Sequence, residues 1–233
     1  MQPFSPNRTA WPMAALVACT SAQATRPMVV DDASITGPGN CQVENWTQRI
    51  PGRTEYWIMP ACNVGGTWEL AAGIGRVGPD GPADAFRSGI VQAKTVFRPL
   101  QTNDWGVGLT IANQFRPGER AAGDLSVLVP VSVSLLDDRV LVHANVGWLR
   151  TRADGRNDGF WAMGAEWAAR PRLTLTLEGY GTGHGHAFAQ VGVRYTLAPD
   201  RLAVDAGLGS RMGRPGAERY VTVGLTVAGP VFR

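Results

Sequence analysis

The residues best equipped for chemistry in this chain are few. His143 shares an alternating face with Asn145, and Ser132 and Ser134 lie in the neighbouring segment. A hydroxyl, an imidazole and an amide could therefore meet as in a hydrolase whose serine is activated by histidine. A lipid-cleaving barrel needs such a set turned toward hydrocarbon, but here every member alternates with apolar residues. They read instead as polar side chains facing water. His184 and His186 stand close enough to hold a transition metal, but no third ligand accompanies them in what reads as an outer loop. Gly73-Ile74-Gly75-Arg76-Val77-Gly78 has the glycine spacing of a dinucleotide fingerprint without the following helix whose N-terminus would hold the phosphates. No catalytic residue, metal or cofactor is assigned, and the chain does not read as an enzyme. The remaining chemistry is oxidative. Cys41 and Cys62 stand at equal distances on either side of Pro51-Gly52, so a hairpin turning there lays the two sulfurs opposite one another. A bond between them needs an oxidising compartment.

The N-terminus provides the route to one. Arg8 precedes the apolar stretch AWPMAALVA and the small-residue pattern Ala22-Gln23-Ala24, as in a secretory signal peptide spanning residues 1–24. Its removal would discard Cys19 and leave an even pair. Leu16-Val17-Ala18-Cys19 also fits a lipoprotein site in which Cys19 becomes acylated, and either route crosses the inner membrane. The net charge of +3 is spread along the chain, which excludes nucleic acid as an expected partner. No run of about eighteen apolar residues could form a membrane-spanning helix.

The elements that must position these groups are strands. In Asp124 to Leu135 the set Leu125, Val127, Val129, Val131, Val133 and Leu135 occupies one face, with Ser126, Ser132 and Ser134 on the other. The same period of two recurs near residues 42–49, 54–62, 67–77, 89–99, 104–115, 124–136, 140–151, 159–169, 173–182, 187–197, 202–211 and 219–228. Segments of about ten residues suit tilted membrane-crossing strands. Tight turns at 63–66, 100–103, 137–139, 170–172 and 198–201 alternate with longer connections at 78–88, 116–123, 151–158 and 212–218. That two-rim asymmetry predicts an all-β fold: a transmembrane antiparallel up-and-down β-barrel of about twelve strands over residues 41–233, in the bacterial outer membrane, with its tight turns in the periplasm. A soluble sandwich would also alternate, but it would not carry Trp68, Phe97, Trp105, Phe115, Trp148, Trp161, Trp167 and Tyr195 near strand ends as interfacial girdles do.

The polar face should then line the lumen. It carries Glu69, Gln92, Lys94, Arg98, Gln114, His143, Asn145, Glu166, Glu178, Gln190, Arg194 and Asp205. Their charges could form a ladder that orients solutes in a narrow bore, or could pair across it and close the tube. Residues 25–40, with Asp31-Asp32 and Gly37-Pro38-Gly39, have no strand pattern and could enter the periplasmic mouth as a plug, pairing with lumenal arginines.

RPMVVDDASITGPGNCQVE at 26–44, followed by EYWIMPACN at 55–63 and a glycine-rich strand, resembles a family of bacterial outer-membrane barrels labelled transporter of the meta-pathway of phenol degradation. The resemblance implies an outer-membrane location and passage of small, including aromatic, solutes. One departure is the ending Gly229-Pro230-Val231-Phe232-Arg233, where the aromatic that usually closes a barrel is penultimate. The expected function is a narrow passive pore or facilitator. The alternatives are a barrel enzyme acting on lipid or lipopolysaccharide and a structural barrel with a closed lumen. Expected partners are outer-membrane lipids, small solutes and, during insertion, the barrel-assembly machinery.

Overall fold

The structure, a computed structural model, describes residues 28–79, 86–115, 123–214, 216 and 218–230. The expected signal peptide and the last three residues lie outside them. Twelve strands run in chain order: β1 (Asn40–Ile50), β2 (Arg53–Asn63), β3 (Trp68–Pro79), β4 (Phe86–Arg98), β5 (Trp105–Phe115), β6 (Asp124–Leu135), β7 (Val140–Arg150), β8 (Asn157–Arg170), β9 (Leu173–Thr182), β10 (Phe188–Ala198), β11 (Leu202–Arg211) and β12 (Tyr220–Pro230). Each pairs antiparallel with its neighbours in sequence, and β1 pairs with β12 to close the barrel. Closure leaves no strand edge unpaired, which a bilayer requires.

Alternation sets which way each side chain faces. Along β5, Gly106, Gly108, Thr110 and Ala112 point inward and are buried, while Trp105 and Ile111 are exposed outside. Along β12, Tyr220, Thr222 and Thr226 are buried while Val221, Val223, Leu225 and Val227 are exposed. Ile58, Ile74, Val129, Val146, Met163 and Leu177 continue the outward apolar surface on other strands. So continuous an exposed apolar band on a closed barrel is a hydrocarbon-facing surface. Trp68, Phe97, Trp105, Trp167 and Tyr195 ring its tight-turn edge, and Trp148 and Trp161 lie toward the other, all exposed. This is the architecture of a bacterial outer-membrane barrel.

The first hairpin turns through Pro51-Gly52, where the glycine takes φ +80° and the proline is already held near the value that its turn position needs. Ile50 faces Arg53 across the turn, so Cys41 falls opposite Cys62 with Cα atoms 4.1 Å apart, and the two are disulfide-bonded. Both lie at the tight-turn rim, where β1 begins and β12 ends. Inside the wall some rings lie flat over glycine: Tyr220 covers Gly209 so closely that a Cβ there would meet its ring at 2.1 Å. These rings fill the wall and leave the centre of the lumen to another occupant.

Candidate functional site: the lumen

That occupant is the chain itself. Residues 28–39 precede β1 at the tight-turn rim and rise inside the barrel, so that Met28, Val30, Asp32, Ala33 and Thr36 are all buried. The segment forms no strand; Gly39 donates its N–H to the Asn63 carbonyl at 2.7 Å where the segment meets the wall, and most of its backbone above that is held by side chains from the wall. Glu178 of β9 accepts the Val29 N–H at 2.8 Å and the Val30 N–H at 2.9 Å. Asn145 of β7 grips the Asp31 peptide from both sides, accepting its N–H at 2.6 Å and donating to its carbonyl at 2.7 Å. Ser132 of β6 accepts the Ala33 N–H at 2.8 Å, and Glu69 of β3 accepts both the N–H and the hydroxyl of Thr36. Asn63 donates to the Thr36 carbonyl at 2.7 Å. Buried peptide groups cost free energy unless bonded, so each of these side chains supplies a partner that a sheet would otherwise give.

The charges follow the same plan. Lys94 of β4 donates to Asp31 at 2.7 Å and to Asp32 at 2.8 Å, with its own side chain 6% exposed. The Thr110 hydroxyl donates to the other oxygen of Asp31 at 2.7 Å. Lumenal arginines were the expected partners of the segment; Lys94 is the cation in contact with both of its aspartates, and Arg194 lies near enough to attract Asp32 as well. Met28 and Val30 pack with Ala162 beside Phe160 and Tyr180, so the upper end of the segment is held by apolar contact.

Beside the segment lies a second network. Arg194 of β10 donates to Asp205 on β11, its register partner, at 2.9 Å, and reaches over β9 to Glu166 on β8 at 2.7 Å. Its path is clear because Thr174 and Thr176 stand on β9 between them. Ser132 Oγ lies 2.7 Å from His143 Nδ1, and His143 Nε2 lies 3.4 Å from Glu166 Oε1. The hydroxyl and imidazole of the considered hydrolase set do meet. Asn145 does not orient the ring, however, because it is committed to Asp31, and Ala33 covers the serine inside the wall. A membrane lipid outside the barrel has no path to this hydroxyl.

The other lumenal candidates fall as follows. Glu69, Lys94, His143, Asn145, Glu166, Glu178, Gln190, Arg194 and Asp205 are buried on the inner face. Gln92 is half-buried there, and Gln114 is exposed toward the long-loop end, where it donates to Ser88 at 3.2 Å. Arg98 is the correction. A bulge between Val96 and Arg98 shifts the alternation by one residue and pairs Arg98 with outward-facing Val107. Its guanidinium therefore sits at the outer rim, 4.2 Å from the Trp105 ring centroid and 2.7 Å from Asp104. Its hydrogen bonds hold the Asp104 carboxyl below the usual range. Inward Glu44, buried on β1 with Gln42 and Trp46 on the same face, was missed, although the alternation of QVENW carried the signal. His184 hydrogen-bonds Asp158 at 3.1 Å, and among the described residues no group of three His, Cys, Asp or Glu side chains could hold a metal.

The segment and the Arg194 network divide the bore. Toward the long loops lies a cavity of about 420 Å³, floored by Met28 to Asp31 and walled by Glu44, Met59, Ile90, Gln92, Gln114 and Phe160 among others. Toward the tight turns lies one of about 310 Å³, with Glu166 and Arg194 at its inner end and Arg139 and Arg201 at its mouth.

Solved barrels resemble this one. A KdgM porin superposes with a TM-score of 0.64 at 8% identity, covering 80% of this chain and 98% of its own. A NanC porin gives 0.60 at 10% identity over the same shares, and a KdgM porin in complex with disordered oligogalacturonate gives 0.61 at 8%. At such identities the likeness is one of fold. No curated protein matches the sequence. Residues 12–229, nearly the whole chain, match one family throughout, and the protein belongs to it: the family described as uncharacterised conserved protein UCP029691.

Proposed function

We propose that the protein is a passive outer-membrane passage for small solutes, held shut at its waist by its own residues 28–39. The observation that carries this reading is a bore holding two cavities, of about 420 and 310 Å³, with the docked non-strand segment flooring the upper one and the Arg194–Glu166 pair closing the inner end of the lower one. A tube built only for rigidity could fill its bore with wall side chains, as small barrels do. Here the bore is wide enough to take a peptide, and that peptide leads directly into β1 of the wall.

The upper cavity suggests the solute class. Met59, Ile90, Leu128 and Phe160 offer apolar surface while Gln42, Gln92 and Gln114 offer amide groups, which suits small amphipathic molecules, aromatic ones included. Four acids, Asp31, Glu44, Glu69 and Asp124, line it against two bases, Lys94 and Arg150. Neutral or cationic solutes are therefore favoured over polyanions such as the oligogalacturonate held by a porin of similar fold.

Planar-bilayer recording tests the reading. The full chain is expected to show rare, small openings, and the chain lacking residues 25–38 to show regular steps with cation preference. The tight docking of the segment also suits a structural barrel with a closed lumen. Absence of steps after trimming would establish that alternative.

A further inference from the structure

The outer surface of β1 to β4 carries a charge pattern that the bore does not use. Register places Arg76 of β3 directly opposite Arg87 of β4, and Tyr56 of β2 opposite Arg76. Both arginines are exposed, and no described residue forms an ion pair with either. Arg49 of β1, also exposed and on the same face, extends the basic surface toward the seam with β12. Like charges set directly opposite in a sheet repel. Their height adds to the cost. Ile74, 68% exposed, belongs to the apolar band, and Arg76 stands two residues farther from the tight turns, which at about 3.3 Å per residue is roughly 7 Å along the strand. The guanidinium groups thus lie where hydrocarbon gives way to headgroups, with long stems able to reach outward.

We infer that this surface binds the phosphorylated headgroup of an outer-leaflet glycolipid that carries two phosphates. A guanidinium fork matches phosphate geometry, and two adjacent forks match two phosphates. Tyr56 adds an amphipathic ring at the same level, as interfacial tyrosines do. A glycerophospholipid with one phosphate satisfies only one of the two facing arginines. The inference rests on the long-loop rim facing outward, and not on whether the lumen conducts.

The test is binding of a fluorescent bisphosphorylated lipid A by the full mature chain in neutral detergent micelles, with phosphatidylglycerol and inorganic phosphate as competitors. Arg76→Gln/Arg87→Gln is expected to weaken binding at least fivefold. Arg170→Gln/Arg172→Gln, at the opposite rim, should leave it unchanged. Neither competitor should displace the lipid at equal concentration. A loss smaller than fivefold, or equal competition by phosphatidylglycerol or inorganic phosphate, overturns the assignment. Should the double variant fail to show a heat-modifiable folded band, the single Arg87→Gln and Arg87→Lys variants decide, with lysine expected to retain more binding than glutamine.

Discussion

Replacing Lys94 by methionine should release the segment, and the size of the effect follows from what is left behind. Asp31 and Asp32 both contact the ammonium, at 2.7 and 2.8 Å. Removing one partner of a buried ion pair costs about 3–5 kcal/mol, because the remaining charge stays desolvated. A carboxylate can escape by taking a proton. At its ordinary solution acidity that costs about 4 kcal/mol at pH 7 and about 1.5 kcal/mol at pH 5. The docked state of the variant therefore loses roughly 3–4 kcal/mol at pH 7, while the undocked state, with its aspartates in water, loses little. That is a shift of about 10²–10³ in the docking equilibrium. Amide hydrogen exchange reads it directly, since Val29, Val30, Asp31, Ala33 and Thr36 donate to wall side chains only while docked. Their protection should fall by that factor at pH 7 and by clearly less at pH 5, because the docked variant binds more protons than the undocked one and acid favours it. Bilayer conductance should rise in step. Protection within threefold of the parent at pH 7 would refute the claim that Lys94 holds the segment, and conductance rising with protection intact would refute the claim that the segment is the gate.

Glu178→Gln keeps one acceptor oxygen but loses the charge, so exchange at Val29 and Val30 should rise by about one to two powers of ten, measured in the same experiment, with Thr36 affected less. Cys41→Ser should lower barrel stability by about 3 kcal/mol for a closed loop of this length, read from the urea midpoint of the heat-modifiable band, while conductance stays the same; two reactive thiols in the unreduced parent would contradict the bond. Arg98→Gln should leave conductance and ion selectivity unchanged, because the side chain lies outside the bore. Its hydrogen bonds to Asp104 hold that carboxyl's folded-state pKa below its ordinary value, so whatever stability the pair contributes is present above about pH 4 and lost as the pH falls further; an equal effect of the substitution at pH 3 and pH 7 would be inconsistent with the pair. Val146→Arg, at the middle of β7 on the outward face and 63% exposed in the parent, should destabilise the barrel by about 2–4 kcal/mol in a bilayer, checked by refolding titrations into vesicles.

The sequence by itself determined the wall. A strand's period of two is local, so runs such as Leu125 to Leu135 declare both their geometry and their two faces, and about twelve of them with alternating short and long connections and aromatics near their ends point to a closed antiparallel barrel rather than a sandwich. The symmetric placement of Cys41 and Cys62 about Pro51-Gly52 is local in the same sense, since hairpin register follows from the turn. Arg98 lay beyond that reach: one extra residue at a bulge reverses the face of everything after it, and nothing in Thr95 to Pro99 marks where the shift falls. The interior was still less legible. Residues 28–39 have no periodicity, and their partners Glu69, Lys94, Ser132, Asn145 and Glu178 come from five strands that converge only when β12 meets β1. Each is an ordinary inward polar residue in its own strand. Only closure places their donors and acceptors around one buried backbone, where the cost of an unpaired peptide group turns scattered side chains into a docking site.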